Sequence, residues 1–256
     1  MAGCNARGQT QAALVFRLVR AFLRWCSEQE RFAGIVHAQA CHTREVRDEV
    51  QAVKPKARAL QREQLPMWFD AVRKIGNPVT AAYLQASLLT GARREELLGL
   101  KWADVDFQWR SLTIRDKVEG ERIIPLTPFV GALLAQLPRR NEWVFSSPTA
   151  ASGRLQEPLK PLSTAMQTAG LPALSIHDLR RSFGSLTEWT ETPAGIVAQI
   201  MGHKPSATAE KHYRVRPLDL LRQWHTKIEG WILEQAGIAQ PGERTEGPRL
   251  AVVVRC

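Results

Sequence analysis

Two runs of the sequence decide the fold: residues 175–186 read SIHDLRRSFGSL, and residues 200–214 read IMGHKPSATAEKHYR. They bring together imidazole groups, guanidinium groups and Tyr213, one of only two tyrosines in the chain. The other, Tyr83, lies in an apolar helical pattern that is typical of a core. Tyr213 is instead flanked by basic residues, which stabilise a phenolate and attract an anion. The pattern therefore indicates phosphate chemistry.

The spacing within these runs indicates which class of phosphate chemistry is involved. His177 and Arg180 are three positions apart, which places them on the same face of a helix. His203 follows in a Gly-His step at 203 − 177 = 26 positions, and Tyr213 comes at 213 − 203 = 10 positions after that. This arrangement resembles the tyrosine recombinases, the phage-integrase class of site-specific DNA recombinases. The spacing from His203 to Tyr213 is slightly longer than is usual in that family.

Two further motifs of the family lie upstream. Residues 90–93 read TGAR, which matches the T-G-x-R step that carries the first arginine, Arg93. Residues 117–126 read KVEGERIIPL and match the family's hairpin pattern K-x-x-x-x-R-x-x-P-L, which begins with Lys117. Arg94 and Arg181 are neighbouring candidates for the two arginine roles, but the motif register favours Arg93 and Arg180.

The resemblance implies a catalytic set: Arg93, Lys117, His177, Arg180, His203 and Tyr213. The two arginines would bind the non-bridging phosphate oxygens, because a guanidinium group donates parallel hydrogen bonds and stays charged. Tyr213 would be the nucleophile that forms a 3′-phosphotyrosyl bond, and Lys117 would protonate the departing 5′-oxygen. His177 would take the tyrosine proton or bind a phosphate oxygen, and His203 would donate another hydrogen bond. Glu96 would orient the cationic groups without reacting.

This chemistry needs no cofactor. The phosphotyrosyl bond conserves the energy required for rejoining, so neither a metal ion nor a nucleotide is expected. The alternative for the histidines is a zinc site built from His177, His203 and His212 with a cysteine. No cysteine lies near them in the sequence, and Cys/His pairs at zinc-finger spacing are absent.

Charge and composition agree with a nucleic-acid partner. The chain carries 35 Lys+Arg against 25 Asp+Glu, a formal net charge of +10, which predicts binding to a polyanion. A hydrophobic content of 44% supports a sizeable core. No apolar run reaches the length of a membrane span, and no signal peptide is recognisable. We therefore expect a cytoplasmic, nucleoid-associated protein whose four cysteines are reduced.

The N-terminal part is predicted to be helical. Apolar residues recur at helical spacing through residues 11–28, with arginines on the complementary side that form either a solvated face or a phosphate-facing row. Residues 1–10 are expected to fray. We interpret residues 1–53 as a partial core-binding region, because the family's core-binding domain is longer, and we expect its first helices to be missing.

A basic linker is predicted at residues 54–60, where a proline breaks the helix. Its cations suit a segment that lies over a DNA backbone. The side chains expected to contact DNA are Lys54, Lys56, Arg58, Arg181, Lys204 and Lys211.

Residues 61–236 are predicted to form the catalytic domain. The pattern is mainly helical, and three short β-type runs within residues 104–126 predict a small three-stranded antiparallel sheet. The predicted fold class is therefore α+β, mainly α, with the catalytic-domain fold of the tyrosine recombinases.

A helix with an apolar stripe is predicted to begin at Pro217. We expect it to dock on a neighbouring protomer on DNA and to be loosely held or self-docked in the free protein. The alternative is that it packs on its own domain. Residues 237–256 are expected to form a disordered tail.

The predicted function is site-specific DNA recombination or integration. The expected partners are double-stranded DNA and other protomers, with a monomer in the free state, a tetramer in synapsis and no role for a membrane. One alternative is a DNA-binding remnant whose shortened N-terminus prevents closure of a clamp on DNA. Another is a nicking and closing enzyme similar to type IB topoisomerases. The filled catalytic positions favour an active enzyme.

Overall fold

The computed structural model describes residues 2–32, 34–37, 39, 41, 58–116, 120–203 and 216–240. The chain divides into two compact units, Met1–Ala57 and Arg58–Cys256. In the described residues, none of the helices combines the length and apolar character needed to cross a bilayer.

The first unit contains a long helix, α1 (Ala2–Ser27), followed by a 3-10 turn at Glu30–Phe32. The helix begins at Ala2, earlier than the predicted start at residue 11. The segment has no proline, and its alanine, arginine and glutamine residues favour a helix. Leu18, Phe22 and Trp25 remain more than half exposed on this helix.

The second unit is mainly helical. Its described helices are α2 (Leu65–Arg73), α3 (Pro78–Thr90), α4 (Arg94–Leu98), α5 (Pro128–Ala135), α6 (Leu159–Thr168), α7 (Ile176–Leu186), α8 (Ala194–Met201) and α9 (Leu218–Gln235). Its strands are β1 (Val105–Asp106), β2 (Ser111–Asp116) and β3 (Gly120–Pro125), and 3-10 turns lie at Arg62–Gln64, Trp102–Asp104 and Thr187–Thr190. The predicted fold class is confirmed.

Helix α3 is the centre of this unit. The Asn77 side chain caps it by accepting hydrogen bonds from the backbone N–H groups of Val79 and Thr80, and Pro78 occupies its first turn. Residues 79–90 are all buried. A helix that is covered on every side must be enclosed by other elements, and α2, α5 and α7 pack against it.

The sheet has the order β1-β2-β3, and both pairs are antiparallel. Side chains alternate between its two faces: Leu112 and Ile114 are buried on β2, and Leu112 pairs with the buried Ile124 on β3. This register fixes β3 so that Arg122 lies opposite Ile114.

Helix α9 packs on its own domain. Leu221, Ile228, Ile232 and Leu233 are buried in the same hydrophobic core as α3 and α7. This is the self-docked arrangement expected of the free protein, and docking of the helix on a neighbouring protomer on DNA stays a prediction.

The domain boundary also differs slightly from the prediction. Leu60, which was placed in the basic linker, is buried, and its backbone N–H donates to Ser182 Oγ at 2.7 Å. The second unit accordingly begins at Arg58, whose side chain is exposed. Lys54 and Lys56 lie outside the described residues, as do residues 241–256 of the predicted tail. The predicted start of that tail at residue 237 is wrong, because Ile238 packs against the core.

Candidate active site

The turn after α3 positions the first predicted arginine. Gly91 ends the helix in the left-handed region, with φ of 59°. A Cβ at this position would lie 2.5 Å from Cδ1 of Phe183, so the turn depends on glycine for both its conformation and its space. Arg93 follows with extended backbone angles at the N-cap of α4. The arginine is thus presented from a turn and not from within a helix.

Glu96 holds Arg93 from the first turn of α4. Its carboxylate accepts hydrogen bonds from the Arg93 backbone N–H at 2.7 Å and from Arg93 Nη1 at 2.9 Å. Arg122 adds a bidentate pair, with Nη1 and Nη2 at 2.8 and 2.7 Å from the two carboxylate oxygens. Burial alone would raise the pKa of Glu96, but the hydrogen bonds from Arg122 and Arg93 outweigh it and lower the pKa. Glu96 is therefore an ionised bridge between two arginines.

The two predicted catalytic arginines meet at the end of α8. Arg93 Nη2 donates to the Gly202 carbonyl oxygen at 3.1 Å. Arg180 Nη1 donates to the carbonyl of the preceding residue, Met201, at 2.8 Å, and to that of Gly91 at 2.6 Å. A side chain from the N-cap of α4 and one from α7 are thus brought to one short stretch of backbone, immediately before His203.

The neighbouring arginines are engaged elsewhere. Arg94 Nη2 donates to the Gln156 carbonyl oxygen at 2.8 Å, and its side chain is half exposed. Arg181 Nη1 pairs with Asp178 Oδ1 at 2.8 Å on the surface of α7. The geometry therefore favours Arg93 and Arg180 over their neighbours, which agrees with the motif register.

The two predicted histidines lie on the surface of the same region. His177 is exposed in the first turn of α7, and partial desolvation of its ring, followed by the positive charges of Arg181 and Arg180, lowers its pKa below the ordinary value of 6.5. The imidazole is neutral at neutral pH and is able to accept a proton. His203 is also exposed, and its backbone N–H donates to the Ala198 carbonyl at 2.8 Å.

The segment that carries Tyr213 is anchored at both ends on α8. Residues 204–215 lie outside the described part of the chain, and with them Tyr213, His212, Lys204 and Lys211. On one side of this gap is His203. On the other side, the backbone of Arg216 exchanges hydrogen bonds with the Gln199 side chain at 3.0 and 3.2 Å. The chain therefore leaves and returns close to the carbonyls that Arg93 and Arg180 bind.

Lys117 also lies outside the described residues, but the ends of the two strands that flank it are described. Asp116 at the end of β2 pairs with Gly120 at the start of β3. Asp116 Oδ2 lies 3.3 Å from Arg93 Nη1, so the residue directly before Lys117 contacts the first predicted arginine.

Sequence reasoning missed two members of this network, Asp116 and Arg122. Arg122 was used only as a landmark of the hairpin pattern, and Asp116 was not considered. The available signal was their position in the hairpin pattern: Asp116 directly precedes Lys117, and Arg122 follows it by five residues, on strands that pair. Among the described residues, no three His, Cys, Asp or Glu side chains are grouped so that they could hold a metal ion.

Comparison with known proteins identifies related sequences over both units. A family model described as the phage integrase family matches residues 58–217, and one described as the phage integrase core-binding domain matches residues 2–48. The prophage integrase IntF of Escherichia coli (strain K12) is 55% identical over 237 residues, which are 90% of this chain and 51% of that protein. The chain spans about half the length of the curated relatives it matches.

Two solved structures share the fold. The integrase from mycobacterium phage Brujita superposes with a TM-score of 0.55 and 21% identity, over 86% of this chain and 75% of that one. A lambda integrase tetramer bound to a Holliday junction gives a TM-score of 0.55 and 16% identity, over 78% of this chain and 60% of that one. At such identities the likeness concerns the fold alone.

Proposed function

The chain belongs to the phage integrase family, and on that premise we propose that it is a site-specific DNA recombinase that acts through a covalent 3′-phosphotyrosine on Tyr213. The observation that supports this most directly is the convergence of Arg93 and Arg180 on the backbone before His203. A phosphodiester resists attack because its oxygens repel an incoming anion, and paired guanidinium groups remove that barrier.

The proposed reaction exchanges one phosphodiester for another. The Tyr213 oxygen attacks phosphorus, the bond to the 5′-oxygen breaks, and the 3′-phosphate remains on the tyrosine. His177, which is neutral at neutral pH, receives the tyrosine proton, and Lys117 gives a proton to the 5′-oxygen. Attack by the 5′-hydroxyl of another strand reverses these steps and rejoins the DNA. Glu96 takes no part in proton transfer, since it is fixed as an anion between Arg93 and Arg122.

The proposed partners are double-stranded DNA and further copies of this chain. A net charge of +10 supports attraction to DNA, and the exposed Arg58 and half-exposed Arg181 are available to contact its backbone. The related IntF is named a prophage integrase, and a lambda integrase of the same fold is a tetramer on a Holliday junction. By analogy we propose assembly of protomers on paired DNA sites, with the nucleoid as the place of action.

A trapping experiment tests the proposal. The chain is incubated with a library of end-labelled duplexes in which random sequence surrounds a nick, so that cleavage releases a short strand and traps the protein on DNA. A denaturing gel should show a covalent adduct, and sequencing of the trapped DNA gives the preferred site. Tyr213→Phe should abolish the adduct yet bind DNA within about threefold of wild type, because the phosphate-binding cations remain.

Three results would contradict the proposal. A wild-type chain that binds DNA without forming any adduct would indicate a DNA-binding remnant. An adduct of undiminished amount in Tyr213→Phe would assign the nucleophile to another residue. Relaxation of supercoiled DNA without strand exchange would favour the nicking and closing enzyme.

A further inference from the structure

Arg122 lies on the return strand of the hairpin that carries Lys117, with its side chain mostly buried. It sits on β3 opposite Ile114, and only 16% of its side chain is exposed. A buried guanidinium group stays charged, so its N–H groups must be satisfied by acceptors of the protein. The identity of those acceptors determines what the residue can do.

Among the described residues, the Arg122 side chain donates its hydrogen bonds to Glu96 and to the backbone at the end of α8. Nη1 and Nη2 bind the two oxygens of Glu96 at 2.8 and 2.7 Å, and Nε donates to the Ile200 carbonyl oxygen at 3.1 Å. The guanidinium group also lies close to Gly202, where a Cβ would stand 2.7 Å from Arg122 Cζ. Arg122 therefore joins the hairpin to α4 and to the end of α8.

The contact with Glu96 reaches Arg93 through a single shared atom. Glu96 Oε1 accepts from Arg122 Nη1 at 2.8 Å and from Arg93 Nη1 at 2.9 Å. Without Arg122, this buried carboxylate would lose its bidentate partner and would be balanced chiefly by Arg93. Arg93 would then be drawn towards the carboxylate, and the Gly202 carbonyl that it binds would lose the support of the neighbouring guanidinium.

We propose that Arg122 is a positioning residue, which sets the orientation of Arg93 through Glu96 and through the backbone of residues 200–202. This rests on the proposed recombinase function. Arg122 does not itself meet the phosphate, because its η and ε nitrogens are directed at Glu96 and Ile200. It acts on the rate of strand cleavage and not on DNA affinity.

A double-mutant cycle tests the proposal. Adduct formation is measured in single turnover at saturating DNA for wild type, Arg93→Ala, Arg122→Ala and the double variant. Arg122→Ala should slow adduct formation by roughly 10- to 100-fold, the range typical for residues that support a reactive group, with DNA binding nearly unchanged. If Arg122 acts through Arg93, adding Arg122→Ala to Arg93→Ala should slow the reaction by no more than about threefold further.

Controls separate this role from a general loss of structure. Arg115→Ala removes an arginine from the neighbouring strand, where it pairs with Asp104 at 2.8 Å, and should leave the rate near wild type. Arg122→Lys keeps the charge without the paired donors and should recover part of the rate. If Arg122→Ala does not give a cooperative thermal transition, the same cycle is run with Arg122→Lys.

The outcomes are distinct. The positioning role would be overturned if the rate losses of the two single variants multiplied in the double variant, or if Arg122→Ala reacted at the wild-type rate. In either case, an adduct in wild type would still support the recombinase function. Loss of DNA affinity with an unchanged saturated rate would make Arg122 a binding residue instead. Absence of the adduct in wild type would contradict the proposed function itself.

Discussion

Arg93, at the N-cap of α4, and Arg180, on α7, donate hydrogen bonds to the carbonyl groups of the adjacent residues Gly202 and Met201. The two guanidinium groups are thus held on adjacent carbonyl groups, whereas Arg94 and Arg181 are bound to other acceptors. Two cations held together in this way are suited to a single phosphate group.

The two arginines should therefore be separable from their neighbours by mutation. Arg93→Ala and Arg180→Ala are expected to slow adduct formation by roughly 100-fold or more, a size typical of lost donors to a transition state. Arg94→Ala and Arg181→Ala serve as matched controls and should change the rate by only a few-fold. Because Arg180 is buried, its variants, including Arg180→Lys, are compared only after a thermal melt shows that they fold. If Arg94→Ala and Arg181→Ala instead caused the larger losses of rate, Arg94 and Arg181 would be the two arginines of the motif.

Lys117 can be tested as the general acid by changing the leaving group. In a substrate with a 5′-bridging phosphorothiolate, the leaving group departs as a thiolate, which needs no proton. This substrate should restore adduct formation in Lys117→Ala but not in Arg180→Ala, since the arginine acts on the non-bridging oxygens. Equal rescue of both variants, or of neither, would assign the proton to another group.

Gly91 should be intolerant of any side chain. Gly91→Ala is expected to lower the free energy of unfolding by about 2–5 kcal/mol, since it combines left-handed backbone strain with a clash against Phe183. Gly170→Ala is the control: its φ is similar, at 66°, but nothing lies within 4 Å of the added carbon, so a loss of about 1–2 kcal/mol is expected. Chemical denaturation measures the free energy of unfolding of both variants. Equal losses would show that the clash with Phe183 does not contribute.

The sequence was sufficient for features that depend on local signals. The T-G-A-R step, the helix of residues 176–186 and the hairpin each carry their own turn residues and periodicity, and the structure places them where they were expected. The links of Glu96 to Arg122 and of Leu60 to Ser182 join residues far apart in the chain, and no local pattern encodes them. The stripe on α9 showed that the helix needs a partner surface, but not which surface it covers.

His225 should make stability depend on pH. It is fully buried on α9, with Nε2 2.9 Å from the Leu89 carbonyl oxygen, and burial lowers its pKa to about 4. A depressed pKa means that the folded state prefers the neutral ring. The stability this provides is present above the unfolded pKa of about 6.5 and is lost as pH falls towards 4, by up to about 3 kcal/mol.

The pH dependence can be assigned by mutation. Denaturation of wild type and His225→Gln between pH 7.5 and 4.5 should show a flatter profile for the variant. Glu229 acts in the opposite direction, because burial raises its pKa and protonation at low pH favours the folded state. Parallel profiles for the two proteins would show that other groups control the acid transition.

Removal of α9 should unfold the second unit. The helix contributes buried apolar residues to the core, and the Glu229 carboxylate accepts hydrogen bonds from Thr127 Oγ1 and from the backbone N–H groups of Phe129 and Val130 at the start of α5. Truncation after Arg216 would expose that core and leave those three donors unpaired in one step, each at about 1–3 kcal/mol. Together with the lost apolar burial, this exceeds the 5–15 kcal/mol by which most domains are stable.

The expected result is a truncated chain without a cooperative thermal transition, measured by circular dichroism. Truncation after Gln240 is the control, since it keeps the whole of α9 and should melt like the full chain. Glu229→Ala tests the polar contacts alone and should lower the melting temperature without abolishing the transition. A cooperative melt of the chain that ends at Arg216 would show that the helix is dispensable for folding, and it would support the prediction that α9 docks on a neighbouring protomer on DNA.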